Sequence, residues 1–568
     1  MWDKEDGQGK YGEGVKVALV HAVIHWKDKE KNLAKLLSLN EMAAGSGARI
    51  ILNTELATSG YAFESRDDIA PLTETIPGPT TRAFGRIAKK YECYICIGLP
   101  EVDPKTGIFY NAAALIGPKG HVLGRCRKVV PAFRENLWAA RGNLPVMVTM
   151  TEFGKLGVVI CADAYSYRPA RVAALKGARL LLVPANWPSD YQNPEKFWRA
   201  RAAENGIYVL VCNRTGKDQS MDCCSAESFI VDTGGGAVKQ VSSTDDSIVY
   251  GMLPLKNGKF ISSAAEDILG RRRPHCYANI SLDTFSHFNP EFLLGLPEPV
   301  DFTVATLQFR PVSGEPPANM EKMLKLIDEA AATAAAEGLT LNLLVLPELA
   351  TTGIIFRKQE AAKWCEEIPG PATKAFTRKA EEKNIFIVLG MAERDAGKLY
   401  NSCVLLGPGG VRGKYRKVHL SPYDQRWAEA GEGEVPTFDL PFGRVGMLAG
   451  YDLVFPESAD ALAKLGTDLL CVPALWEDRK SKFIWEARLG EQMHLAVANQ
   501  WGDFGKFHAL GGSLIYSYSR YPEKRLKLES PAGGDKVNIM RLCAKEAREK
   551  RFVENIDYDV LLHRGGTT

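Results

Sequence analysis

Gly154-Lys155-Leu156-Gly157-Val158-Val159-Ile160-Cys161-Ala162-Asp163 is the stretch from which the fold is read. Its centre, residues 157–160, carries no charge and ends in three β-branched residues, so it reads as a short buried strand. The strand runs straight into a cysteine followed by a small and an acidic residue. On α/β scaffolds a nucleophile is often presented at such a turn, where the chain leaves the sheet and faces a cleft built from loops. Taken alone, Cys161 reads more readily as a buried structural thiol than as a nucleophile. The rest of the chain decides between the two.

The chain repeats itself. The opening strand Val15-Lys16-Val17-Ala18-Leu19-Val20-His21 recurs as Phe302-Thr303-Val304-Ala305-Thr306-Leu307-Gln308, and each copy precedes a helix rich in Ala, Leu and Lys, over 31–44 and 319–337. An apolar strand follows in both copies and ends in a glutamate: Glu55-Leu56-Ala57-Thr58-Ser59-Gly60 against Glu348-Leu349-Ala350-Thr351-Thr352-Gly353. Then come Ile76-Pro77-Gly78-Pro79 and Ile368-Pro369-Gly370-Pro371, a turn that opens a helix, and further on Tyr110-Asn111 and Tyr400-Asn401. The next strands end at Arg127-Lys128-Val129 and Arg416-Lys417-Val418. Lys128 stands as far before Cys161 as Lys417 stands before Gly450. So many matches in one order read as a tandem duplication. Its linker is expected at 288–300, where Asn289-Pro290 and Leu296-Pro297-Glu298-Pro299 break regular structure. Strands alternating with helices and with paired strands in each half predict a layered α/β sandwich.

Length and composition agree. A chain of 568 residues is too long for one ordinary core. Apolar and charged contents of 45% and 24% are those of a globular protein, and a net charge of +3 creates no strong field toward nucleic acid or an anionic membrane. No apolar run approaches the length of a membrane span, and the polar first residues do not resemble a signal sequence. The expected compartment is the cytoplasm, where twelve irregularly spaced cysteines read as reduced thiols. Cys93 and Cys96 lie an odd number of positions apart on a predicted strand, which turns their thiols to opposite faces and argues against a shared metal. The adjacent pair Cys223-Cys224 has no further ligand cluster near it.

Three side chains of the first half share one placement, directly after a strand: Glu55, Lys128 and Cys161. A thiol is mostly protonated at neutral pH and needs a base, which Glu55 could supply. The tetrahedral adduct of an amide needs positive charge or donors at its oxygen, which Lys128 and a backbone N–H near Cys161 could supply. These residues carry a resemblance. The sequence resembles the nitrilase (carbon–nitrogen hydrolase) superfamily, whose Glu, Lys and Cys motifs match Glu55, Arg127-Lys128 and Cys161-Ala162-Asp163, in order and across both halves. The resemblance implies two tandem αββα-sandwich domains, 1–290 catalytic and 300–568 lacking the nucleophile. It further implies a thioester mechanism that uses no cofactor or metal. On that reading Glu55 is the general base, Cys161 attacks, Lys128 stabilises the tetrahedral intermediate, and Glu135 is the second glutamate that amidase members use to place the substrate.

The second half is the degenerate copy. It keeps Glu348 and Lys417, with Asp424 in place of Glu135, but Gly450 stands where the nucleophile belongs. Family members commonly pair through the helices after the nucleophile and through their C-terminal segment, so the duplicated chain is expected to form an intramolecular pseudo-dimer, itself open to homo-oligomerisation. Arg271-Arg272-Arg273 and the tail 548–564 read either as interface segments or as solvated basic stretches.

True nitrilases of the family carry Trp-Glu after the cysteine. Ala162-Asp163 is closer to the amidase and carbamoylase branches, so a small amide or N-carbamoyl compound is the expected partner, in preference to a nitrile. Tyr61, Phe133, Trp138, Ala162, Asn186, Trp187 and Tyr191 are the expected pocket residues, although core packing explains the aromatic ones equally well. Arg134 and Arg168 would either receive a substrate carboxylate or sit in salt bridges. A binding or scaffold protein with two decayed sites is the competing class, and the intact Glu55, Lys128 and Cys161 set speaks against it.

Overall fold

The structure, a computed structural model, describes residues 13–132, 134–188, 194–219, 221–477, 482–552 and 557–562. These residues fall into two compact units, one of residues up to Gly270 joined by 557–561, the other of Arg271–Phe552. Residues 271–300, read above as the end of the first domain and a linker, pack with the second unit. There Arg272 Nε meets Glu457 Oε1 at 2.8 Å with both side chains buried, and Val300 N–H donates to Phe442 O at 3.2 Å. Arg548 of the expected basic tail is likewise buried, paired with Asp468.

Each unit holds two six-stranded sheets. In the first, one sheet runs in the order Ser247–Pro254, Gly14–His21, Ile50–Leu52, Tyr94–Val102, Phe109–Ile116, Val122–Arg127. The other runs Ala237–Ser242, Glu227–Val231, Tyr208–Asn213, Leu180–Ala185, Gly154–Val158, Met147–Thr151. The central strands of both are parallel, so their carboxyl ends and the turns after them lie along one rim.

The pleat sorts side chains between layers. Val17 and Leu19 join the core shared with the second sheet, while Ala18 and Val20 face the layer of Leu36, Phe84 and Ile87 from the helices Lys29–Gly45 and Pro79–Tyr91. The second sheet is covered by Tyr167–Leu175 and Glu195–Ala203, through Ala170, Ala173 and Trp198. The result is an αββα sandwich. Cys93 falls in the outer layer and Cys96 between the sheets, as their odd separation requires. Asp28 caps the first helix by accepting the Lys31 N–H, and Pro79 opens the second at the first helical position after Gly78.

The second unit repeats the plan. Its sheets run Gly410–Arg416, Lys398–Gly407, Phe386–Asp395, Leu341–Val345, Phe302–Gln308, Lys536–Leu542 and Thr437–Leu440, Gly443–Met447, Leu469–Ala474, His494–Asn499, Leu514–Tyr516, Lys527–Glu529. A two-stranded hairpin, Trp501–Phe504 with Phe507–Leu510, is added to it. All twelve cysteines are free. Among the described residues no group of three His, Cys, Asp or Glu side chains could hold a metal, and no helix is long and apolar enough to cross a membrane.

Candidate active site

Glu55, Lys128 and Cys161 each follow a strand of the first unit, and the three meet. The Lys128 Nζ lies 2.7 Å from Glu55 Oε1 and 2.5 Å from Glu135 Oε1. All four side chains are buried. Asn186 donates its backbone N–H to Glu55 Oε2 at 2.8 Å, and the same N–H acts on the Cys161 thiol.

Backbone geometry explains the placement. The strand Gly154–Val158 ends before Cys161, which opens a short 3-10 turn, Cys161–Ala164, at φ 46°. Left-handed backbone on a residue with a Cβ costs about 1–2 kcal/mol and turns the thiol out of the sheet. Asp163 pins this elbow: its Oδ2 accepts the Ile160 N–H at 3.0 Å, and its Oδ1 accepts the N–H groups of Val129 and Val130 at 3.0 and 2.8 Å. One carboxylate thus ties the cysteine turn to the backbone just after the lysine. Burial pushes that carboxyl up to about 7, against the downward pull of these N–H donors and Lys128. Gly98 is the other enabling residue. A Cβ there would meet Glu55 Cα and Thr54 O at 2.7 Å, so only glycine lets the neighbouring strand pass the glutamate turn. The second unit uses Gly390 in the same way against Glu348.

The charges are arranged as a buried cation between two carboxyl groups. Burial alone would pull the Lys128 ammonium down, but Glu135 and Glu55 outweigh it and hold it well above the ordinary lysine value. Burial raises Glu135, against the pull of Lys128. Burial and then Glu55 push the Cys161 thiol well above its usual range, with Lys128 opposing. Burial thus favours the neutral thiol form of Cys161, with Glu55 and Lys128 among its neighbours.

Asn111, repeated as Asn401, was not singled out from the sequence although the Tyr-Asn pair recurs in both halves. Its Nδ2 bridges Glu55 Oε1 and Glu135 Oε1 at 2.7 and 3.2 Å. Tyr61 joins the same network, its hydroxyl donating to Glu135 Oε1 at 2.5 Å. Asn186 holds the glutamate, with Nδ2 on Glu55 O at 2.7 Å in addition to its N–H bond. Ala162 is buried inside the elbow turn. Trp138 packs edge-on to Phe63, and Trp187 edge-on to Trp198 in the core. Arg134 is 53% exposed and pairs with Glu64, while Arg168 lies over the Tyr558 ring. Phe133 and Tyr191 lie outside the described residues.

The second unit reproduces the frame without the sulfur. Lys417 Nζ lies 2.5 Å from Glu348 Oε1 and 2.7 Å from Asp424 Oδ2, and Asn401 Nδ2 bridges the same two carboxylates. Gly450 does not adopt the left-handed backbone of Cys161, and a Cβ on it would sit 2.4 Å from Glu348 Oε2. The nearby Cys403 thiol is turned to Leu448 O at 3.8 Å. Gly450→Cys in a Cys161→Ser background is therefore expected to leave the chain inactive, since the elbow is relaxed and the glutamate occupies the sulfur's approach. Recovery of a tenth of wild-type turnover would show that the site rebuilds itself.

Burial, opposed by Lys417 and helped by Asp424, pushes Glu348 up to about 7. A carboxyl raised in the folded state stabilises the fold fully below its ordinary value of 4.5 and loses that contribution as pH climbs through about 7. Glu348→Gln stays neutral throughout. Relative to wild type, the variant should gain about 2–3 kcal/mol between about pH 5 and about pH 8, read from urea midpoints. An equal pH response in both chains would sink the assignment.

The family model for carbon-nitrogen hydrolases matches the chain twice, over residues 16–259 and 303–519. The chain belongs to the carbon–nitrogen hydrolase family. It is a tandem duplication within that family, and the protein is an enzyme. A nitrilase of Pyrococcus abyssi is 40% identical over 252 residues, which span 44% of this chain and 92% of that protein. A citrullinase of Francisella tularensis is 31% identical over 47% of this hydrolase chain and 98% of its own length. The omega-amidase NIT2 of Mus musculus is 30% identical over 40% of this chain and 84% of its own length.

Proposed function

We propose that the first unit hydrolyses the carbon–nitrogen bond of a small carboxamide or N-carbamoyl compound through a thioester on Cys161. The observation that carries this reading is the single buried cluster in which Lys128 bridges Glu55 and Glu135 beside a neutral thiol. Glu55 takes the thiol proton as Sγ attacks the carbonyl carbon. The oxygen of the adduct gains negative charge, which the Lys128 ammonium stabilises in a site dry enough for that charge to matter. The C–N bond breaks as Glu55 returns the proton to nitrogen, and ammonia or an amine leaves. Glu55 then takes a proton from water. The water oxygen attacks the thioester, the C–S bond breaks, the sulfur regains a proton and the acid departs.

Two observations favour an amide or carbamoyl group over a nitrile. Ala162-Asp163 follows the cysteine, and Glu135 is held within reach of Lys128, where a second glutamate would steer a carboxamide. Relatives named citrullinase and omega-amidase speak for the same choice, while the Pyrococcus abyssi relative is named a nitrilase, so nitriles belong in the test. The test is a panel of primary amides, carbamoyl compounds and nitriles, read by ammonia release and by mass spectrometry of the trapped enzyme. Amides or carbamoyl compounds should turn over and leave an acyl group on Cys161. Turnover of nitriles alone, or an adduct on another cysteine, would overturn the proposal.

A further inference from the structure

One buried amide spends both of its donors on the two carboxyl groups of the first unit's site. Asn111 is 1% exposed and gives the hydrogens of Nδ2 to Glu55 Oε1 and Glu135 Oε1, at 2.7 and 3.2 Å. Both neighbours are acceptors, so the NH₂ must face them and the carbonyl must face away. Its Oδ1 has no hydrogen-bond partner among the described residues. A buried acceptor left unmade is costly. The second unit, which keeps its glutamate and lysine, keeps this compromise too. There Asn401 Nδ2 serves Glu348 Oε1 and Asp424 Oδ1 at 2.6 and 3.0 Å, and Asn401 Oδ1 is left over in the same way.

Lone pairs decide what the amide achieves. Each carboxylate oxygen offers two. Glu55 Oε1 accepts from Lys128 Nζ and from Asn111 Nδ2, which fills it. Glu135 Oε1 accepts from Lys128, Asn111 and the Tyr61 hydroxyl. Neither Oε1 has room for a proton of its own. Glu55 Oε2 accepts the Asn186 N–H and keeps a lone pair in reserve. That oxygen faces the nucleophile. The same N–H acts on the Cys161 thiol, and in the second unit a Cβ on Gly450 would lie 2.4 Å from Glu348 Oε2. Two carboxyl groups crowded into one site readily share a single proton. Asn111 stands between these two with an N–H for each, so no proton fits on the line that joins them.

We propose that Asn111 is a positioning residue: it keeps Glu55 and Glu135 from sharing a proton and so leaves Glu55 Oε2 free to take the proton of Cys161. This role rests on Glu55 being the base of the proposed function. The test uses the full-length chain and iodoacetamide. Sγ of Cys161 displaces iodide from the CH₂ carbon, and the thiol proton passes to Glu55 Oε2. The rate of labelling at Cys161 is read by peptide mass spectrometry at fixed pH. Asn111→Leu should slow it by at least about tenfold, because a shared proton then occupies the base. In a Glu135→Gln background there is no second carboxyl group to share with, and the same substitution should slow labelling by less than about threefold. Equal slowing in both backgrounds is what a merely structural asparagine would give, and it overturns the proposal. Asn111→Ser has one hydroxyl hydrogen and serves one carboxylate at a time. It should slow labelling in the same background-dependent way, which keeps the test decisive if the leucine variant folds poorly. Glu55→Gln separates this role from the reading beneath it. Slower labelling in Glu55→Gln with an unchanged rate in the Asn111 variants overturns the positioning role alone. An unchanged rate in Glu55→Gln removes the base itself, and the positioning role falls with it.

Discussion

Cys161→Ser is expected to fold like the wild type and to lose turnover by about 10⁵-fold or more. The substitution changes one buried atom, and Asp163, Asn186 and the strand before the elbow keep their backbone bonds. What disappears is the attacking sulfur. A carboxylate can take the proton of the Cys161 thiol, even one raised by burial, as the sulfur attacks, but the proton of a serine hydroxyl lies much farther beyond its reach. The measurement is ammonia release at saturating amide, with a thermal midpoint to establish the fold. Residual turnover above about a hundredth of wild type would remove Cys161 from the mechanism, because no nucleophile substitution of this kind leaves so much.

Lys128→Met should act on stability and on rate together. Lys128 is the buried cation 2.7 and 2.5 Å from two buried carboxyl groups. Removing one partner of such a set while the others stay charged costs about 3–5 kcal/mol. The same change deletes the donor offered to the adduct's oxygen, worth about 10²–10³-fold in rate. A second substitution separates the effects. Adding Glu135→Gln to Lys128→Met relieves the excess negative charge and should return a good part of the lost stability, while turnover stays down. A cycle in which the two stability changes simply add would mean that the groups do not sense one another. That outcome contradicts the geometry.

Much of this was legible in the sequence because duplication printed the pattern twice. Strand-end placement of Glu55, Lys128 and Cys161 follows from short apolar runs that stop at a polar residue, and the repeat located each again. The αββα layering was equally readable, since alternation sorts Val17 and Leu19 from Ala18 and Val20. What escaped depends on contacts between distant turns. Nothing local to Asn111 says that it will bridge two carboxylates, or to Gly98 that a glutamate turn will pass it at van der Waals limits. The pocket reading also went partly to scaffold: Asn186 holds Glu55 by backbone and side chain, and Trp187 is core. Aromatic and amide residues serve walls and frameworks alike, so type alone does not tell them apart. The Pro-rich stretch 288–300 attracted the domain break for a similar reason. Prolines mark irregular backbone, whereas the buried pair Arg272–Glu457 binds the preceding segment to the second unit.

The elbow at Cys161 has one more consequence. Its left-handed φ of 46° is a conformation that a cysteine tolerates poorly and a glycine accepts freely, yet Gly450, the residue suited to it, lies outside that region. At this turn the left-handed backbone belongs to the copy that retains its sulfur. The copy without the sulfur also lacks the left-handed turn, so restoring one atom to it leaves that turn still to be rebuilt.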